Sequence, residues 1–205
     1  MKEPIIAGID AGSSSVKTVI ARVNDDKLEV IGIGESESEG IMKGVVVNIE
    51  AAANAIEKSV NQAEQMAGIK SPDIIATIGG EHIKGKNSKG VIGVNNKNKE
   101  ITTVEIERVL ESAKNILLPS DREIIETIEQ EYSLDEQDEI KNPIGMSGTR
   151  LETRVHIITG LKYVSDNLKR TLNKMGFSGK DFIVNVRGSA EAVLTKDEKD
   201  LGVVV

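Results

Sequence analysis

The segment "GIDAGSSSVK" near the start of the chain concentrates residue types that bind phosphate and metal ions. Gly12 lets the backbone approach a ligand closely, because it has no side chain. Three serine hydroxyls follow it and add hydrogen-bond donors, at Ser13, Ser14 and Ser15. Amide dipoles that converge in such a bend can hold a phosphate, and Lys17 adds a positive charge on the next strand.

An aspartate precedes these residues and changes the chemistry they predict. The carboxylate of Asp10 repels a phosphate, so its presence favours a site in which a divalent cation lies between the two. Mg²⁺ keeps several waters and commonly uses one or two carboxylates together with substrate phosphates. The pattern D-x-G-S-S-S-x-K is therefore interpreted as half of a magnesium–nucleotide site. The spacing leaves open a hairpin tip that is merely polar, because Gly-Ser turns are frequent.

Composition and known motifs exclude several other classes of protein. The 205-residue chain has a net charge of −7 without a basic cluster, which argues against a nucleic-acid partner. It has no cysteine, so no disulfide or thiolate metal site is possible. Neither a P-loop nor a Rossmann glycine motif occurs. No apolar stretch is long enough to span a membrane, and we expect a cytoplasmic location.

Apolar patterning predicts the elements that hold the bend in place. Strands are expected in "PIIAGID", in "SVKTVIARV" with both faces covered, in "KLEVIGIGES" and in "SPDIIATIGG". Between the last two, "NIEAAANAIEKSVNQAEQMAG" has an apolar stripe typical of a helix. Asn48 is its predicted N-cap and Gly68 its predicted C-terminal end.

A polar, turn-rich region, residues 81–160, follows and is interpreted as an insertion. It contains a predicted helix, "TTVEIERVLESAKNIL", with a capping box formed by Thr102 and Glu105 and with Val104 among its apolar positions. Strands are predicted in "REIIETIEQEYSL" and "RLETRVHIITG", with "DEQDEIKNPIGMSGT" as a loop between them. The unit therefore has a strand–helix–strand–strand layout, inserted within a larger domain.

The last part of the chain, residues 161–205, returns to the earlier pattern. A helix is predicted in "KYVSDNLKRTLNKMG" and a strand in "FIVNV". Ser189 is the predicted N-cap of a helix that opens at "SAEAVLT". The run "LGVVV" is predicted to be a strand.

Several motifs carry a resemblance to known families. "GIDAGSSSVK" resembles the first phosphate-binding turn of the actin, Hsp70 and sugar-kinase superfamily. Within it, "GIMKGVVVNIEAAANAI", "GGEHIKGKNSKGVI", "NPIGMSGTRLE" and "GSAEAVLTKDEKDLGVVV" resemble the bacterial cell-division family FtsA, in the same order along the chain. The resemblance implies an α/β fold: an RNase H-like actin-type subdomain, 1A, interrupted by a small SHS2-like subdomain, 1C. Subdomain 1A is then expected at 1–80 and 161–205, and 1C at 81–160.

The resemblance also implies roles for individual residues. Asp10 corresponds to a residue near the magnesium waters, and four residues correspond to the turn around the β- and γ-phosphates: Gly12, Ser13, Ser14 and Ser15. Lys17 matches a phosphate-contacting lysine of actin, although FtsA sequences often carry their lysine at the position of Ser15. Glu191 falls where actin orients its attacking water, at the predicted start of a helix. Its alternative reading is an acid favoured by the helix dipole.

Where the chain departs from the family, the resemblance limits what to expect. FtsA continues into a second phosphate turn of the type D-x-G-G-G-T, the FtsZ-binding subdomain and a membrane-binding helix, which this sequence does not contain. An N-terminal portion of FtsA is therefore expected to bind Mg-ATP weakly or not at all and to lack enzymatic activity in this form. Its expected partners are other FtsA copies and later division proteins, through 1C, at the cytoplasmic face of the inner membrane. The alternative is half of an ATPase or sugar kinase that another chain completes.

Overall fold

In the computed structural model, the described residues are 4–24, 27–70, 74–177 and 182–204. The strands of this part are β1 (Ile5–Ala11), β2 (Ser15–Asn24), β3 (Lys27–Glu37), β4 (Ile41–Met42), β5 (Val45–Val46), β6 (Ile74–Ile78), β7 (Lys84–Gly93), β8 (Arg122–Leu134), β9 (Gln137–Ile140), β10 (Arg150–Leu161) and β11 (Phe182–Val184). The helices are α1 (Ile49–Ala67), α2 (Thr103–Lys114), α3 (Lys162–Lys174), α4 (Asn185–Val193) and α5 (Lys196–Leu201).

The chain divides into two compact units. The first unit consists of Met1–His82 and Leu161–Val205, and the inserted unit is Ile83–Gly160. The insertion expected at 81–160 starts two residues earlier and ends at the same residue. The fold is mixed α/β, as the sequence indicated.

The first unit is built on a five-stranded sheet in the order β11-β6-β1-β2-β3. Strands β1, β2 and β3 are antiparallel neighbours, whereas β6 and β11 run parallel to β1. The helix α1 lies before β6 and α3 before β11, as parallel connections require. Apolar residues of β1, β2, β6, α1 and α3 form one core, among them Ile9, Val16, Ile20, Ile56 and Leu172.

Two local signals set the limits of α1 as predicted. The Asn48 side chain accepts hydrogen bonds from the backbone N–H groups of Glu50 and Ala51, at 3.0 and 3.1 Å. Gly68 ends the helix with φ of 68°, a left-handed conformation that favours glycine.

The inserted unit is a four-stranded sheet in the order β7-β10-β8-β9 with α2 packed on it. Thr102 and Glu105 form the predicted capping box of α2. Val109 and Ala113 of that helix are fully buried, as are Val155 and Ile157 of β10.

Several expectations about the elements were wrong. The outer face of β2 is covered only in part: Val19 on that face is 38% exposed, whereas Ala21 is buried. Val104 lies on the exposed side of α2. The predicted loop after β8 contains the short strand β9, which pairs with β8.

The last part of the chain also differs from the prediction. Helix α4 already begins at Asn185, so Ser189 lies inside it and is not its N-cap. The residues of "LGVVV" that are described form the end of α5 and an irregular segment rather than a strand, because no neighbouring strand pairs with them. Val205 lies outside the described residues, as does the Asp25–Asp26 part of the predicted β2–β3 turn.

Candidate functional site: a cleft at the carboxyl ends of parallel strands

The serine-rich bend joins β1 to β2 at one edge of the sheet of the first unit. β1 ends at Ala11 and β2 begins at Ser15, so the bend consists of the three residues between them. A side chain at Gly12 would place its Cβ 2.8 Å from the carbonyl oxygen of Ser15. The tight course of the bend therefore favours glycine at this position, whereas the close approach of a ligand remains a prediction.

Asp10 is held by a neighbouring strand. Thr77 of β6 donates a hydrogen bond from Oγ1 to Asp10 Oδ1 over 2.5 Å. Since β1 and β6 are parallel, both residues lie near the carboxyl ends of their strands. Ligands of α/β sheets commonly bind outside this edge, where helices and loops diverge. The hydroxyl fixes one carboxylate oxygen and so orients the other.

Ser13 ties the bend to the β4–β5 hairpin. The backbone N–H of Gly44 donates to Ser13 Oγ at 3.0 Å. Ser14 is exposed, and its carbonyl accepts from the N–H of Ser38 at 3.2 Å. Ser15 is the first residue of β2 and pairs with Glu37. Each serine thus has a different environment, although the sequence presents them as equivalent.

Two glycines at the end of β6 form the opposite side of the cleft. A Cβ at Gly79 would lie 2.5 Å from the side chain of Asn185, the first residue of α4. Gly80 has φ of 120°, and a Cβ there would lie 2.6 Å from the carbonyl oxygen of Lys43. Glycine at both positions therefore lets the end of β6, the β4–β5 hairpin and α4 pack closely together where they converge.

The convergence borders an open cavity of about 360 Å³ within the first unit. Its lining residues are Asp10, Ala11, Gly12, Ser13, Lys43, Gly44, Thr77, Gly79, Gly80, Glu81 and Asn185. The structure thus brings together three of the residues predicted for the site, Asp10, Gly12 and Ser13. Ser14, Ser15 and Lys17 are not among the lining residues.

Lys17 and Glu191 lie in other surroundings. Lys17 stands opposite Asp10 in the pairing of β1 with β2, and its Nζ is 3.9 Å from Glu35 Oε1 on the exposed face of the sheet. Glu191 was expected at the start of a helix, but it lies in the last turn of α4. Its Oε2 lies 2.8 Å from Lys199 Nζ, and this hydrogen bond and charge lower the pKa of Glu191.

Sequence reasoning missed Lys43, Thr77, Glu81 and Asn185 as residues of the cleft. Thr77 lies immediately before the end of a recognised strand, and the glycines of "SPDIIATIGG" were taken only as the end of that strand. A sequence signal for them exists in part, because a polar residue at the carboxyl end of a parallel strand is a general indicator of a site. No sequence pattern indicated that Asn185 belongs to the cleft, since it falls in the segment "FIVNV" that was predicted to be a strand.

The donor set fits Mg²⁺ in the form that this ion commonly takes with nucleotides. Asp10 supplies one hard carboxylate oxygen, and waters and phosphates complete the shell in such sites. No group of three or more His, Cys, Asp or Glu side chains placed to hold a metal ion occurs among the described residues. The described residues therefore do not surround a metal ion with protein ligands alone. Asp10 is compatible with an ion that is bound through its waters.

No helix in the described part of the chain combines the length and apolar character that crossing a membrane requires.

Comparison with known proteins defines the class of the chain. A family model described as the SHS2 domain inserted in FTSA matches residues 80–159. A solved structure titled "PilM-PilN type IV pilus biogenesis complex" superposes with a TM-score of 0.60 over 91% of this chain and 49% of that chain, at 12% sequence identity. The chain thus contains an SHS2 domain at residues 80–159 and shares its fold, over most of its length, with a protein of that pilus complex.

Curated relatives specify the family further. The chain is 43% identical over 100% of its length to the cell division protein FtsA of Borreliella burgdorferi, 39% over 97% to that of Pseudomonas aeruginosa and 34% over 98% to that of Bacillus subtilis. It covers 50, 48 and 46% of these relatives and so spans about half their length. Over that part the chain belongs with FtsA, and the resemblance found in its motifs is confirmed.

Proposed function

We propose that the first unit supplies one wall of a magnesium–nucleotide site in an FtsA-like cell-division protein. The observation that carries the proposal is the convergence of Asp10, the Gly12–Ser13 bend and Gly79–Gly80 on one cavity at the carboxyl ends of β1 and β6. Backbone N–H groups and the Ser13 hydroxyl face phosphate, and Asp10 binds the waters of Mg²⁺. The family relationship supports the same assignment.

Each residue has a defined task in this proposal. The bend around Gly12 and the adjacent serines orients the phosphates through main-chain N–H groups. Thr77 keeps the Asp10 carboxylate turned toward the ion's water shell. Mg²⁺, when bound, neutralises phosphate charge. The carboxylate of Glu191 is engaged by Lys199, so a water-orienting role for Glu191 requires that this ion pair open first.

We expect the affinity of the 205-residue chain for nucleotide to be weak, because these donors contact a ligand from one side. A nitrogen-15 NMR titration with Mg-ATP up to millimolar concentrations tests both points. The expected result is a fast-exchange shift of the amides of Gly12, Ser13 and Gly80, with a Kd in the millimolar range. A sub-millimolar Kd contradicts the weak-binding expectation, and the absence of shifts in the bend contradicts the site.

Asp10→Asn distinguishes a magnesium site from a simple anion site. Asparagine keeps an oxygen that accepts the Thr77 hydroxyl but removes the charge, so the fold is retained. We expect the variant to lose the difference between titrations with and without Mg²⁺. Asp138→Asn, on the exposed strand β9 of the inserted unit, is the matched control and keeps that difference.

For the division role, we propose that the chain acts through protein contacts. The inserted unit contacts later division proteins and other FtsA copies, and the complete protein links FtsZ to the inner membrane. A fluorescent fusion of the whole chain, expressed in a bacterium with its own FtsA, is expected to concentrate at the division site. Uniform fluorescence in dividing cells, with the fusion intact, would contradict this role.

A further inference from the structure

We propose that Lys43 contacts the phosphates of the bound nucleotide and that Glu81 holds this lysine back until the nucleotide arrives. The inference rests on the proposed nucleotide site and adds the side chain that the site otherwise lacks. The bend supplies dipoles and hydroxyls, but a polyphosphate carries several negative charges that favour a cation as well.

The β4–β5 hairpin fixes the position of Lys43. Ile41 pairs with Val46 and Met42 with Val45, which leaves Lys43 and Gly44 as a two-residue loop. Their φ angles are 51° and 75°, the pattern of a type I′ turn. Lysine in this left-handed conformation is unfavourable and persists where its surroundings impose it.

The surroundings that impose it belong to the cleft. Gly44 donates its N–H to Ser13 in the phosphate-binding bend, and Gly80 packs against the Lys43 carbonyl oxygen. The hairpin is thus attached to both sides of the cavity. Residues held in an unfavourable backbone conformation cluster at functional sites, and this one lies in the lining of the cavity.

Charge points to the same residue. Among the described residues that line the cavity, Asp10 and Glu81 are acidic, and Lys43 is the single lysine or arginine. Lys43 Nζ lies 4.0 Å from Glu81 Oε1, with the two side chains 79% and 87% exposed. An exposed pair of this kind is weak, so a phosphate can displace the carboxylate. Lys17 instead lies outside the lining and pairs with Glu35.

The variant Lys43→Asn tests the charge of Lys43 without changing the hairpin turn. Asn-Gly is a preferred type I′ sequence, so this variant keeps or strengthens the hairpin while it removes the cation. In the Mg-ATP titration of the whole chain, we expect its Kd to rise about tenfold, the low end for a hydrogen bond to a charged group. Lys43→Arg keeps the charge and is expected to restore most of the affinity.

Two further variants complete the test. Lys17→Gln is the matched control and is expected to leave the Kd within about twofold, since Lys17 lies outside the lining of the cavity. Glu81→Gln frees Lys43 and is expected to tighten binding about two- to threefold.

The outcomes separate this inference from the proposed function. If the wild-type chain shows no Mg-ATP shifts at Gly12 and Ser13, the nucleotide site itself fails. If the wild type binds and Lys43→Asn binds equally well, the site stands and the role of Lys43 is overturned. A loss of affinity in Lys17→Gln but not in Lys43→Asn would assign the phosphate contact to Lys17. Unchanged Ile41–Val46 amide signals establish that the hairpin is intact.

Discussion

In the first unit, Asp10 lies near the end of a strand and Lys43 in a hairpin loop, whereas in the inserted unit Glu152 and Arg154 lie within a strand. Asp10 and Lys43 line a cavity that several elements form. The side chain of Glu152 is 11% exposed and pairs with both Lys89 and Arg150. Arg154 Nη1 lies 2.7 Å from Glu131 Oε1.

This difference indicates which charged residues can bind a ligand and which only pair with one another. Side chains in the middle of neighbouring strands point at one another and satisfy one another's charge, as cross-strand pairs do. At the end of a parallel strand the ladder stops, and a polar group can face a ligand instead. His156 in the inserted unit fits the first case, since its Nδ1 lies 2.6 Å from Asn87 Oδ1 on the adjacent strand.

The largest effect is expected from glycines that lie under helices, a feature that the two units share. A Cβ at Gly34 would lie 1.9 Å from the Ser59 carbonyl oxygen of α1, and one at Gly90 would lie 2.2 Å from that of Val109 in α2. Each Gly→Ala change forces helix and sheet apart and is expected to cost about 3 kcal/mol. Urea unfolding measures the loss.

The control for these variants is Gly188→Ala in α4. No heavy atom lies within 4 Å of a Cβ built there, so alanine adds helix propensity without a clash. Stability is expected to stay the same or rise slightly. If Gly34→Ala or Gly90→Ala behaves like this control, the close packing of that unit's helix on its sheet is wrong.

The second effect tests whether the mid-strand charges of the inserted unit stabilise it. Glu152→Gln leaves Lys89 and Arg150 without their shared carboxylate in a largely buried position and is expected to cost about 2 kcal/mol. Glu35→Gln in the first unit breaks the exposed pair with Lys17 and is expected to cost less than about 0.5 kcal/mol. Urea midpoints at low and high salt compare the two, and equal losses would remove the distinction drawn between the units.

Much of the fold could be predicted because its signals are local. The apolar stripe and caps of α1 and the capping box of α2 each lie within one segment. Elements that depend on a distant partner could not be predicted. Strands β4 and β5 have two residues each, too few for a period. The strand β11 ends at Val184, which pairs with Ile78 of β6. This pairing sets the boundary between strand and helix, which the sequence had placed nearer to Ser189.

The same reasoning explains which site residues were found. Asp10, Gly12 and Ser13 lie within four residues of one another, so a single local pattern predicts them together, although the same spacing leaves open a polar hairpin tip. Gly44 and Asn185 reach the cavity from elements far along the chain, and no local pattern links them to the bend.

A third effect compares two identical capping boxes. Thr102 caps α2, which buries Val109 and Ala113, whereas Thr195 caps α5, which buries no residue. Thr102→Ala is expected to cost about 1 kcal/mol of unfolding free energy, because fraying of α2 exposes the core of the inserted unit. Thr195→Ala is expected to leave the unfolding midpoint unchanged, because α5 can fray without exposing a core. A midpoint shift of similar size in both variants would mean that α5 packs more firmly than its exposure indicates.

The smallest effect is a pH dependence in the inserted unit. Hydrogen bonds from Thr149 and from the Arg150 N–H lower the pKa of Asp135, which accepts them at 2.7 to 3.1 Å. A carboxyl group with a lowered folded-state pKa stabilises the protein above its unfolded pKa of about 3.9, and this stabilisation is lost as pH falls through the folded value. Asp135 has φ of 53°, which asparagine tolerates, so Asp135→Asn removes the charge without straining the turn. The variant is expected to be less stable than wild type near neutral pH and to approach it in acid, as measured by urea midpoints. A constant difference at all pH values would show that the charge of Asp135 contributes nothing to the turn.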